Sequence, residues 1–169
     1  MDKAALQELQ RPLKAQYREN PDAAKVTLRA DAGLGEGISC SVGTGRAIAE
    51  AGLHPATGGD GSQLCSGDML LEALAACAGV TLRSVATSLE IPIHGGTVTA
   101  EGDLDFRGTL AVDREAAVGF GAIRLGFALE TEASDEELDT LIKLTERYCV
   151  VLQTLASTPE LSVARSRIG

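Results

Sequence analysis

Residues 65–90, CSGDMLLEALAACAGVTLRSVATSLE, constrain the fold of this chain more than any other stretch. They read as one long helix. From Leu70 to Leu89 the only charges are Glu72 and Arg83. Leu70, Leu74, Cys77, Thr81 and Val85 recur at helical spacing on one stripe, and Leu71, Ala75, Ala78, Leu82 and Leu89 on an adjoining one. A helix apolar over so much of its surface is expected to be buried rather than laid on the outside. Ser66 or Asp68 is the expected cap, because a short side-chain oxygen there accepts from an orphaned backbone N–H. Glu72, Arg83 and the small polar residues interrupt the run too often for a good membrane span, so no membrane partner is expected.

The rest of the chain has to cover that helix. Its 169 residues, 44% of them hydrophobic, suffice for a core without staples, and the reading is a single domain over 1–169. Aromatic residues are 3% and Trp is absent, so the core is built from Leu, Val, Ile and Ala. A net charge of −9 argues against a nucleic-acid partner, since phosphate binding needs a basic surface. The N-terminus is polar and lacks the apolar core of a secretion signal, which makes a cytoplasmic protein with reduced thiols the expectation. The four cysteines (Cys40, Cys65, Cys77 and Cys149) and the two histidines (His54 and His94) match no zinc-ligand spacing, so no metal is expected.

Residues 1–20 read as an N-terminal helical arm, capped by Asp2 and kinked at Pro12, with Leu6, Leu9, Leu13 and Tyr17 on one side. It serves either as a packed arm or as a dimer contact. Alternation then predicts strands over 25–31, over 38–42 with Cys40 facing inward, and over 46–50, with a glycine turn over 33–37. Residues 51–67 are glycine-rich and irregular. They contain neither GxGxxG nor a Gly-Lys-Ser/Thr phosphate loop, and they read as the wall of a site. Beyond the helix, strands are expected over 97–107 and 123–129, with Asp103, Asp105, Glu130 and Glu132 on a solvated face. Ser134-Asp135-Glu136-Glu137 is a capping box that opens a second helix running toward Leu155. A final strand is expected over 161–168. The fold class is α+β.

Two cysteines stand apart. Cys77 lies mid-helix on an apolar face, and Cys149 lies near the end of the second helix or at the start of a following turn. On its neighbours alone Cys77 reads as a small core residue. A thiol becomes reactive where a cation or a helix N-terminus stabilises its thiolate. The segments LEALAACAGVTLR around Cys77 and RYCVV around Cys149, their cysteines 72 residues apart, resemble the OsmC/Ohr family, and the resemblance extends over about residues 24–168.

That resemblance implies antiparallel sheets packed on two central helices in an intertwined homodimer, with sites at the subunit boundary. It implies a thiol-dependent peroxidase that reduces small organic hydroperoxides to alcohols. Cys77 would be the peroxidatic thiol and Cys149 the resolving one. No cofactor would be bound, and an external dithiol or lipoyl-type reductant would restore the pair. The family carries a Glu about ten residues before the first cysteine, paired with an upstream Arg. Here that position is Gly67, and Asp68 and Arg46 are the supporting residues suggested in their place. Cys65 has no counterpart. The alternative is a non-enzymatic dimeric protein of the same fold that binds a small apolar ligand in the intersubunit pocket.

Overall fold

The computed structural model describes residues 2–5, 7, 8, 10, 11, 19, 32–34, 39–43, 48–111 and 113–167. The strand expected over 25–31, Arg46, Pro12 and the side chain of Cys40 lie outside the described residues. The described residues between 3 and 11 are helical, and the Ala5 N–H donates to Asp2 Oδ1 at 2.8 Å, as a cap should. Lys3 Nζ bonds Glu90 at 2.7 Å and ties the start of the arm to the end of the central helix.

Strands β1 (Ala32–Leu34), β2 (Ser39–Gly43) and β3 (Ile48–Gly52) pair antiparallel in that order, and β4 (Leu64–Cys65) joins β3 in parallel. β1 occupies positions that the glycine pattern assigned to a turn. Pairing Ala32 with Val42 and Leu34 with Cys40 gives its backbone ladder partners, which outweighs local glycine preference.

The central helix, α1, is Ser66–Leu89. β4 feeds straight into it, so the extended Cys65 is its N-cap, and no side chain caps it; neither Ser66 nor Asp68 does so. α1 is long and apolar enough to cross a membrane by length and composition. Within the fold it buries one stripe, Leu74, Ala78, Leu82 and Ala86, while Val80 is 73% exposed. The burial is therefore narrower than its apolar surface suggests, because the described elements of the chain cover one side of the helix.

That cover comes from β5 (Gly95–Leu104) and β6 (Phe120–Glu130), an antiparallel pair in which Val98 lies opposite Phe127 and Leu104 opposite Phe120. β5 stops short of the expected Arg107. Asp105 caps a single helical turn, Phe106–Thr109, by accepting from the Arg107 N–H at 3.0 Å. On the solvated face Arg124 pairs with Asp103, Arg107 with Asp105 and His94 with Glu132.

Helix α2 (Asp135–Tyr148) opens with the expected capping box between Ser134 and Glu137. It does not continue unbroken; Cys149 interrupts it, and α3 (Val150–Ala156) follows. Two core clusters result. Leu82, Ala86, Ile91 and Leu141 form one, with Phe127, Leu138 and Ile142 against it. Leu74, Ala78 and Cys149 form the other, with Cys77, Ile123, Leu125 and Leu152 against it. Residues 161–167 are exposed and form no strand, and Val163 is fully exposed. Alternation alone does not make a strand; a neighbouring edge must supply hydrogen bonds, and none in the described residues does. The architecture is α+β.

Candidate active site

Cys77 stands midway along α1, beside the buried stripe and partly covered. Cys149 is fully buried in the same cluster, and both are free thiols. The two residues that the sequence singles out are thus brought together, although 72 positions separate them.

The backbone explains how. Cys149 is at once the C-cap of α2 and the N-cap of α3, with extended angles of φ −72° and ψ 106°. Its N–H still donates to the Thr145 carbonyl at 2.9 Å, and its carbonyl accepts from the Gln153 N–H at 2.9 Å. A continuous helix would bind the Val150 and Val151 N–H groups to the carbonyls of Glu146 and Arg147. The break releases both donors, as at any helix start.

These donors bear on Cys77. Burial pushes the Cys77 thiol up in pKa, but hydrogen bonding from the Val151 N–H, the Cys149 thiol, the Val150 N–H and the Thr81 hydroxyl draws it down, and the net shift is below the ordinary thiol value. Cys149 moves the opposite way. Its burial raises it, and the hydrogen bond and charge of the neighbouring Cys77 raise it further, against a lowering from the Leu152 N–H. Among the described residues no lysine or arginine contributes to the lowering at Cys77.

Of the two supporting residues suggested, Arg46 lies outside the described residues, and Asp68 sits away from the pair. Asp68 is exposed in the first turn of α1. It precedes Cys77 by nine positions, about 13 Å along a helix axis. It lines a separate cavity of about 380 Å³ with His54, Leu71, Phe106 and Phe120. A side chain at Gly67 would meet Phe120 at 3.4 Å, Leu104 at 3.5 Å and the Cys65 sulfur at 3.6 Å, not Cys77. Sequence reasoning missed Thr81 and the Val150 and Val151 amides as groups that draw the Cys77 thiol down in pKa. Thr81 could have been found from its place one turn beyond Cys77; backbone donors leave no residue signature.

Next to the pair runs a groove of about 520 Å³ lined by Val80, Thr81, Val85, Leu144 and Tyr148, among others. Thr81 joins it to Cys77, and Tyr148 precedes Cys149 in the chain.

The family described as OsmC-like protein matches residues 59–164, which hold α1, β5, β6, α2, α3 and both cysteines. This chain belongs to the OsmC-like family. Solved OsmC-like structures share its fold. An OsmC-like protein from Mycoplasma pneumoniae superposes with a TM-score of 0.67 at 19% identity, covering 79% of this chain and 90% of the other. An organic hydroperoxide resistance protein from Elizabethkingia anophelis, crystallised with thiocyanate bound, gives 0.63 at 19% identity, covering 80% and 91%. An organic hydroperoxide resistance protein from Legionella pneumophila gives 0.56 at 21% identity, covering 78% and 90%. At these identities the likeness carries the fold alone. No curated protein matches this OsmC-like sequence significantly.

Proposed function

We propose that this OsmC-like protein is a thiol-dependent peroxidase that reduces organic hydroperoxides to alcohols with two cysteines. The observation that carries the reading is the packing of two free thiols, Cys77 and the fully buried Cys149, in one core cluster, with Cys77 drawn down in pKa and Cys149 pushed up. Two like groups driven apart by their surroundings take different roles. The more acidic one supplies the nucleophile, and the protonated one waits.

In the first step the Cys77 thiolate attacks the distal peroxide oxygen. The O–O bond breaks, the alkoxide takes a proton and leaves as the alcohol, and Cys77 becomes a sulfenic acid. Cys149 then attacks the Cys77 sulfur, the S–O bond breaks, and a water molecule departs with the proton from Cys149. The product is a Cys77–Cys149 disulfide. An external dithiol, lipoyl-type in class, restores both thiols by exchange and is itself oxidised. The cycle uses no bound cofactor. The groove lined by Val80, Val85 and Leu144 suits an alkyl or aryl substituent, and the hydroperoxide resistance proteins among the structural neighbours support that substrate class.

The working unit in this reading is a homodimer. Val80 is 73% and Val150 70% exposed next to the cysteine pair, and a second copy would cover them.

The test is peptide mapping of the reduced protein after one equivalent of cumene hydroperoxide without reductant. Rapid Cys77–Cys149 disulfide with an equivalent of alcohol is expected. Unmodified thiols after prolonged exposure would overturn the peroxidase. A co-purified apolar ligand in native mass spectra would then favour a binding protein of the same fold.

A further inference from the structure

We infer that Gln153 is a positioning residue for Cys77: its side chain holds open the α2–α3 break that turns the Val150 and Val151 N–H groups toward the sulfur. The inference rests on the nucleophilic role proposed for Cys77.

The Gln153 Nε2 donates to the Glu146 carbonyl at 2.9 Å, seven residues back. That carbonyl is the one a continuous helix would bond to the Val150 N–H. The break at Cys149 leaves it without that donor, and the Gln153 side chain takes its place. The Gln153 backbone N–H meanwhile donates to the Cys149 carbonyl at 2.9 Å. One residue therefore braces the corner from both sides, its main chain on Cys149 and its side chain on Glu146.

Without the side chain, Glu146 regains the Val150 N–H. Adding a residue to an existing helix is favourable, so α2 then extends through Cys149. That extension withdraws an amide from Cys77 and rotates Cys149 away from its place as α3 N-cap. Gln153 is exposed and acts through the backbone, not by touching either sulfur. Cys149 is the titratable side chain that bears on Cys77 among the described residues.

The experiment measures the pH dependence of iodoacetamide alkylation at Cys77, located by peptide mapping, in the full-length protein and in Gln153→Met and Gln153→Leu. No peroxide is involved, so the outcome is separable from the peroxidase reading. Both variants should raise the Cys77 midpoint by about half to one pH unit, the scale of one hydrogen bond. Hydrogen exchange at Val150 should slow as its amide finds Glu146. A lower melting temperature with an unmoved midpoint would overturn the inference, leaving Gln153 a merely structural brace. A raised midpoint in both variants would support it even if the unaltered protein consumed no hydroperoxide.

Discussion

Cys149, the one extended residue between α2 and α3, is fully buried against Cys77 in a single core cluster. The paired sulfurs and the released Val150 and Val151 amides lie at a single backbone break. Acidity, resolution and geometry at this site are therefore coupled, and several outcomes can be stated.

The first concerns pH. Cys77 titrates below the ordinary thiol value of 9.0, and its deprotonation creates the nucleophile. Its alkylation rate should rise with pH and level off with a midpoint below 9.0, while Cys149 should label only at higher pH. Stability follows from linkage. The Cys77 contribution is present above the unfolded thiol pKa and fades as pH falls through the lower folded one. The Cys149 contribution is present below the unfolded pKa and is lost as pH rises through its raised folded value. A Cys77 midpoint at or above that of a free thiol would contradict the geometry.

Replacing Cys149 separates its two effects. Cys149→Ser keeps a donor and Cys149→Ala removes it, so Ala should raise the Cys77 midpoint more than Ser. Both should stop after one turnover and leave a sulfenic acid at Cys77 that a 1,3-dione probe captures. Unimpaired multiple turnover in Cys149→Ser would show that Cys149 does not resolve the intermediate.

Leu74 is fully buried one turn before Cys77, in the cluster that holds Cys149. Leu74→Ala should cost about 2–5 kcal/mol in urea unfolding, the transfer and cavity terms of a core leucine. A change well under 1 kcal/mol would mean that this stripe is not the core.

Ser134 accepts from the Glu137 N–H and caps α2. Ser134→Ala should cost about 0.5–2 kcal/mol. It should leave the Cys77 midpoint where it is, because the other end of α2 makes the site. A shift in that midpoint would show that the corner at Cys149 depends on the start of α2.

Much of this was legible in the residues. The capping box, the long alternating strands and the apolar central helix are local patterns, and each produced its element. Where patterns failed, a partner decided. β1 formed across a glycine turn because β2 offered a ladder, whereas residues 161–167 alternate but meet no edge. Cys65 took the cap from Ser66 and Asp68 because β4 leads directly into α1.

The sequence by itself determined α1 with its apolar seam, the long strands β5 and β6 and the capped start of α2, because periodicity and motif are properties of neighbouring residues. Only the tertiary structure decided how much of α1 is covered and that Cys149 packs beside Cys77. It also decided that the Val150 and Val151 amides are released from helical pairing where Cys149 packs against Cys77. The reason is that an N–H group is present at Val150 and Val151 as at almost every residue. What makes these two available is a change of one backbone angle at Cys149, set by packing between α1, α2 and α3.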